Sequence, residues 1–176
     1  MQRFNVDGLN FDFPDDWHVG KYDDWSFYRY QFITMRDGIK SLDLLAIDPD
    51  KTAWLIEVRD YSVYPRTKPS DLAEEVACKV FDTLAAIIPA KINATDPDEK
   101  LIARAVSASY NLRVVLHLEL PAETHSKLNP KGINPANVQQ KIRRLLKPID
   151  TEPLVVDMRS MRGLEWNVGY PPQIIV

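Results

Sequence analysis

The chain has 176 residues, 45% hydrophobic and 27% charged, with a net charge of −3, enough to close one core but hardly two, so a single domain over 1–176 is expected. A lone cysteine, Cys78, excludes an internal disulfide framework and a thiolate zinc site. No stretch approaches the roughly 18 consecutive apolar residues of a membrane span, and Met1-Gln2-Arg3-Phe4 leads into polar sequence instead of an apolar leader, so a cytoplasmic globular protein without membrane contact is expected.

Of the 4 Trp, 7 Tyr and 6 Phe, ten lie between residues 4 and 32, from Phe4 to Phe32. Few basic residues interleave with them, so they read as core and sheet cover. Residues 1–26 form an aromatic-rich N-terminal segment in which Phe11-Asp12-Phe13 alternates like a short strand. Three β-friendly runs follow, Phe27 to Met35, Lys40 to Ile47 and Ala53 to Asp60, separated by turns at Arg36-Asp37-Gly38 and Asp48-Pro49-Asp50-Lys51. They predict a three-stranded meander.

Asp71-Leu72-Ala73-Glu74 has the spacing of a helix start, and Leu72, Val76, Val80, Leu84 and Ile87 or Ile88 follow at helical spacing up to Pro89, where the helix is expected to close. Cys78 falls within it and is expected to play a structural part. Asp96-Pro97 predicts a second helix through about Ser107, and Leu112 to Leu120 a fourth strand ended by Pro121. After a loop from Pro121, Asn134-Pro135 starts a basic helix; Pro153 to Met158 and Leu164 to Val168 read as late strands.

Charge is unevenly placed. Between Glu123 and Asp150 there is no acid, while Lys127, Lys131, Lys141, Arg143, Arg144 and Lys147 are all basic. A solvated helix face would look the same, but the cluster is also a candidate anion-binding and nucleic-acid-binding patch. His18, His117 and His125 lack metal-pair spacing, and no glycine-rich phosphate loop or nucleophile elbow occurs. Tyr61, Tyr64 and Arg66, just after the third run, read as a loop on the sheet edge or as substrate contacts beside it.

Two acids interrupt the apolar runs, Asp43 and Glu57. A carboxylate inside an apolar strand must be paired or bind a cation. Glu57 and Arg59 share a strand face by alternation, and a loop from Asp48 to Thr52 puts Ile47 opposite Ala53 and Asp43 opposite Glu57, with β-carbons about 5 Å apart. Either a charge network with Arg59 or a hard divalent ion would satisfy the pair.

Asp43, thirteen intervening residues, then Glu57-Val58-Arg59 on the next strand resembles the PD-(D/E)XK nuclease superfamily, with arginine where the motif has lysine. The order of elements from 27 to 120 is similar to that family's core, a little over half of the chain. The resemblance implies an α/β (α+β) fold with a restriction-endonuclease-like core: a three-stranded meander, helices and a further strand forming a mixed sheet flanked by helices. It implies that Asp43 and Glu57 hold Mg2+ or Mn2+, that Arg59 steadies the attacked phosphate, and that Lys79 on the following helix supplies the missing lysine, unless it pairs with Glu75. Asp23 or Asp24 would stand in for a helical acid. The expected function is therefore metal-dependent hydrolysis of phosphodiester bonds in DNA or RNA. The alternative is a catalytically degenerate nuclease-fold domain that binds nucleic acid or protein as a scaffold, with a homodimer or a protein partner.

Overall fold

A computed structural model of the chain describes residues 1–121 and 132–172. The strands are β1 (Gln2–Val6), β2 (Leu9–Phe13), β3 (His18–Lys21), β4 (Leu44–Ile47), β5 (Thr52–Asp60), β6 (Asn111–Glu119), β7 (Leu154–Val156) and β8 (Asn167–Gly169). The α-helices are α1 (Leu72–Asn93), α2 (Pro97–Ser107) and α3 (Pro135–Leu146). The class is mixed α and β, as expected. A five-stranded sheet runs β3-β4-β5-β6-β7, antiparallel from β3 to β5 and parallel from β5 to β7. Helices α1 and α2 fill the connection between the parallel strands β5 and β6, and α3 the one between β6 and β7, as parallel pairing requires.

Both faces of this sheet are covered, which is why β5 is apolar from Ala53 to Ile56 and again at Val58. Ala53 and Leu55 pack with Val76, Val80 and Ile102 of the helices. Ile56 and Val58 point the other way, onto Phe11, Phe13 and Trp166 of a second layer. That layer is a small antiparallel sheet ordered β1-β2-β8. Its alternation is clean, with Leu9, Phe11 and Phe13 fully buried. Asp7 and Gly8 turn β1 into β2, both at positive φ, the conformation that suits a two-residue hairpin.

The first strand of the meander lies earlier than the sequence predicts. It is β3, whereas residues Tyr28–Phe32 form a π-helical turn and Ile33–Met35 a 3-10 turn. Tyr28 and Phe32, four apart, share a buried side, and the rings of Phe27 and Phe32 lie 6.2 Å apart. Ring packing here outweighs the β preference of aromatic residues. The turn is anchored from α2, where the carboxylate of Glu99 accepts hydrogen bonds from Ser26 N (2.6 Å) and Phe27 N (3.1 Å).

Asp71 caps α1 by accepting from Glu74 N at 3.1 Å, as its spacing predicts. The helix does not close at Pro89 but passes through it to Asn93. The carbonyl deprived of a donor by Pro89 belongs to Ala85, which lies on the exposed side of the helix. Cys78 also lies on this exposed side instead of in the core. Asn134 caps α3 through Ala136 N (2.9 Å). No helix among the described residues is long and apolar enough to cross a membrane.

Candidate functional site

The register of the β4–β5 hairpin brings the two acids together. Ile47 faces Ala53 and Leu44 faces Ile56, so Asp43, one residue before β4, falls beside Glu57. Its amide donates to Ile56 O at 3.2 Å, and its Oδ2 accepts from Val58 N at 2.7 Å. Glu57 is 1% exposed. Arg59, two residues on along the same face, places Nη2 against Glu57 Oε1 and Nη1 at 3.7 Å from Asp43 Oδ2. Lys79 reaches down from α1 and donates to the same Oε1 at 2.7 Å. All four side chains singled out by the sequence therefore meet in one cluster. Lys79 is not spent on Glu75, whose partner is Arg66, 3.2 Å away.

Electrostatics make Glu57 the unusual member. Burial pushes its carboxyl up to about 8, with Asp43 adding to the rise and Arg59 and Lys79 opposing it. Its Oε2 is buried with no hydrogen-bond partner. Burial pulls the Arg59 guanidinium down, but Glu57 and Asp43 more than offset it, leaving Arg59 above its ordinary value. When Glu57 is ionised the four charges cancel; when it is protonated the cluster carries one net positive charge. Such a group is able to exchange a proton near neutral pH and to favour an anion beside Arg59 and Lys79.

The donor set is a poor fit to Mg2+ or Mn2+. One oxygen of Glu57 is taken by two cations, and a divalent ion would bring like charge against both. Among the described residues no three His, Cys, Asp or Glu side chains are grouped to hold a metal. Of the substitute acids, Asp24 pairs with Lys21 at 3.1 Å and with Arg29, and Asp23 Oδ1 is buried without a partner.

The basic run is partly consumed within the chain. Lys141 pairs with Asp71 (2.9 Å) and Glu74 (3.0 Å), tying α3 to the start of α1, and Arg143 pairs with Glu152 at 2.5 Å. Arg144 and Lys147 are exposed, while Lys127, Lys131 and His125 lie outside the described residues. The loop after β5 is fastened through Arg66, which donates to Tyr61 OH at 3.1 Å; Tyr64 is exposed. His117, fully buried beside Phe11, meets Glu119 Oε1 through Nε2 at 2.8 Å, and its Nδ1 has no partner.

Along almost its whole length the chain is similar to a curated protein, the cysteine–tRNA ligase of Neisseria meningitidis serogroup A / serotype 4A. The two are 28% identical over 202 residues, covering 92% of this chain and 29% of the ligase. The chain thus spans less than a third of the length of that relative. No family model matches it, and no solved structure does. The similarity is to a ligase and not to a nuclease or other hydrolase, and it overturns the expectation of metal-dependent phosphodiester hydrolysis. The cluster geometry is consistent with that correction, because Asp43 and Glu57 are answered by the chain's own cations.

Proposed function

We propose that this chain is a module of the tRNA-aminoacylation machinery that acts by binding tRNA. The observation that carries the reading is the 28% identity to a cysteine–tRNA ligase across 92% of the chain. In this reading the chain shares the fold of the matched segment and works beside tRNA. Arg144 and Lys147, exposed at the end of α3, supply cations for the phosphate backbone, and the Arg59–Lys79 pair supplies a further anion-receptive point when Glu57 is protonated. A cytoplasmic location fits this reading. A restriction-endonuclease-like core is our reading of the architecture, supported by the hairpin that joins Asp43 to Glu57 beside a parallel β6, and it carries no claim of cleavage.

The test is to crosslink RNA to the protein in growing cells and sequence what is bound. Enrichment of tRNA over ribosomal and messenger RNA is the expected result. Recovery of RNA in proportion to its cellular abundance, or none above an uncrosslinked control, overturns the reading.

A further inference from the structure

A polar groove of about 670 Å3 opens where β5 and β6 begin, toward the other end of β5 from Arg59. Its walls include Trp54, Tyr110, Asn111, Arg113, Lys147 and Thr151. Its size falls in the range of small-ligand sites, about 300–1,000 Å3. Three features set its chemistry.

The first is an aromatic plane held out toward solvent. Tyr110 is 74% exposed; its amide donates to Lys51 O at 2.8 Å, and Lys51 Nζ lies over one face of the ring, 5.0 Å from its centroid and 3.4 Å from its hydroxyl. The second is a pair of cations without a carboxylate, Lys147 on the wall and Lys51 next to the wall at Tyr110. The acids of the groove are already answered, Asp150 by Arg113 at 3.3 Å and Glu152 by Arg143. Lys51 and Lys147 have no carboxylate partner among the described residues. The third is a rim that both donates and accepts hydrogen bonds, from Asn111 and Thr151. Trp54 is a firm wall and not a free ring, since its Nε1 donates to Asp48 Oδ2 at 3.0 Å and the Arg113 guanidinium lies over it at 5.6 Å.

An exposed ring with one lysine over a face and a second lysine on the same wall, neither held by a carboxylate, is a combination that takes an unstacked base with its phosphate. We infer that this groove binds a nucleotide of single-stranded RNA, with the base stacked on Tyr110 and the phosphates beside Lys51 and Lys147. The inference rests on the tRNA reading above and names the surface that reading requires.

The experiment is fluorescence-anisotropy titration of labelled tRNA and of a short unstructured RNA into the full chain and four variants. Tyr110→Ala and Lys147→Glu are each expected to weaken both RNAs about tenfold or more, Tyr110→Phe to keep the stacking plane and bind within about twofold, and Arg104→Glu, on the exposed side of α2, to bind as the parent does. Tyr110 and Lys147 lie at the surface, so matching thermal melts for all variants check that only the groove has changed. If the parent binds RNA and Tyr110→Ala and Lys147→Glu bind it equally well, the groove assignment is wrong and the tRNA reading stands. If the parent binds neither RNA, both fall together.

Discussion

Lys79 and Glu57, separated by 22 positions, form a part-buried contact that ties α1 to the middle of the central sheet, with Nζ 2.7 Å from Oε1, and it is an ion pair whenever Glu57 is ionised. Arg59 closes on the same oxygen. The pair forms because a carboxyl with no route to water must find its partners within the protein. The helix that crosses over β5 brings the second cation to it.

Glu57 should impose a pH dependence on folding. Its carboxyl holds its proton to about pH 8 in the fold, against an ordinary value of 4.5. Between those values the folded chain binds more protons than the unfolded chain. The contribution is therefore fully present below the lower value and is lost as pH rises through the upper one, with a slope on the order of 1 kcal/mol per pH unit. Urea unfolding of the parent and of Glu57→Gln from pH 5 to pH 9 measures it. The variant, which mimics the protonated form, is expected to lose that slope; parallel curves would contradict the assignment.

Removing the ammonium should expose the same coupling from the other side. Lys79→Met leaves Glu57 with Arg59 alone, and at pH 9, where the carboxyl is ionised, the loss should be about 2–3 kcal/mol. At pH 6 a protonated Glu57 needs no counter-charge and the loss should shrink to well under half. An equal loss at both pH values would mean that the Lys79 stem, not its charge, carries the effect.

Gly20 in β3 tests the packing of the sheet against α2. A β-carbon there would lie 2.6 Å from Ile102 Cδ1 and 3.1 Å from Trp25 Nε1. Gly20→Ala is expected to cost about 1–2 kcal/mol, and Ile102→Val, which removes the colliding methyl, should restore much of it in the double variant. Thermal melts of the four proteins of this cycle give the coupling. Strict additivity would show that the two residues do not meet.

Much of this architecture was legible in the residues. The register of β4 and β5 follows from strand alternation and loop length, because slipping by one residue would have turned Glu57 away from α1. The caps Asp71, Asp96 and Asn134 each start the helix they predict. Other features turned on packing that periodicity does not carry. Tyr28 and Phe32 leave the β pattern because their rings find partners one helical turn apart, and α1 runs past Pro89, whose freed carbonyl belongs to the exposed residue Ala85. The Asp7-Gly8 turn carries a hairpin dipeptide, a signal that the sequence does display. Function was the least legible layer. Asp43, Glu57, Arg59 and Lys79 converge as expected, but four charges on a hairpin and a helix serve an internal ion-pair cluster as well as they would a metal centre. Tyr110 and Arg113 gave no motif at all, since the groove is assembled from the start of β5, the start of β6 with Tyr110 just before it, and the segment after α3.

The most direct test of the tRNA-binding account is the equilibrium affinity of the full chain for unmodified tRNA, measured from about 50 to 200 mM salt. The account predicts saturable binding that weakens with salt, with a log–log slope of roughly −2 or steeper as Lys51, Lys147 and Arg144 displace counterions from phosphates. Absence of saturable binding at the lowest salt, with the protein shown to be folded, would contradict it.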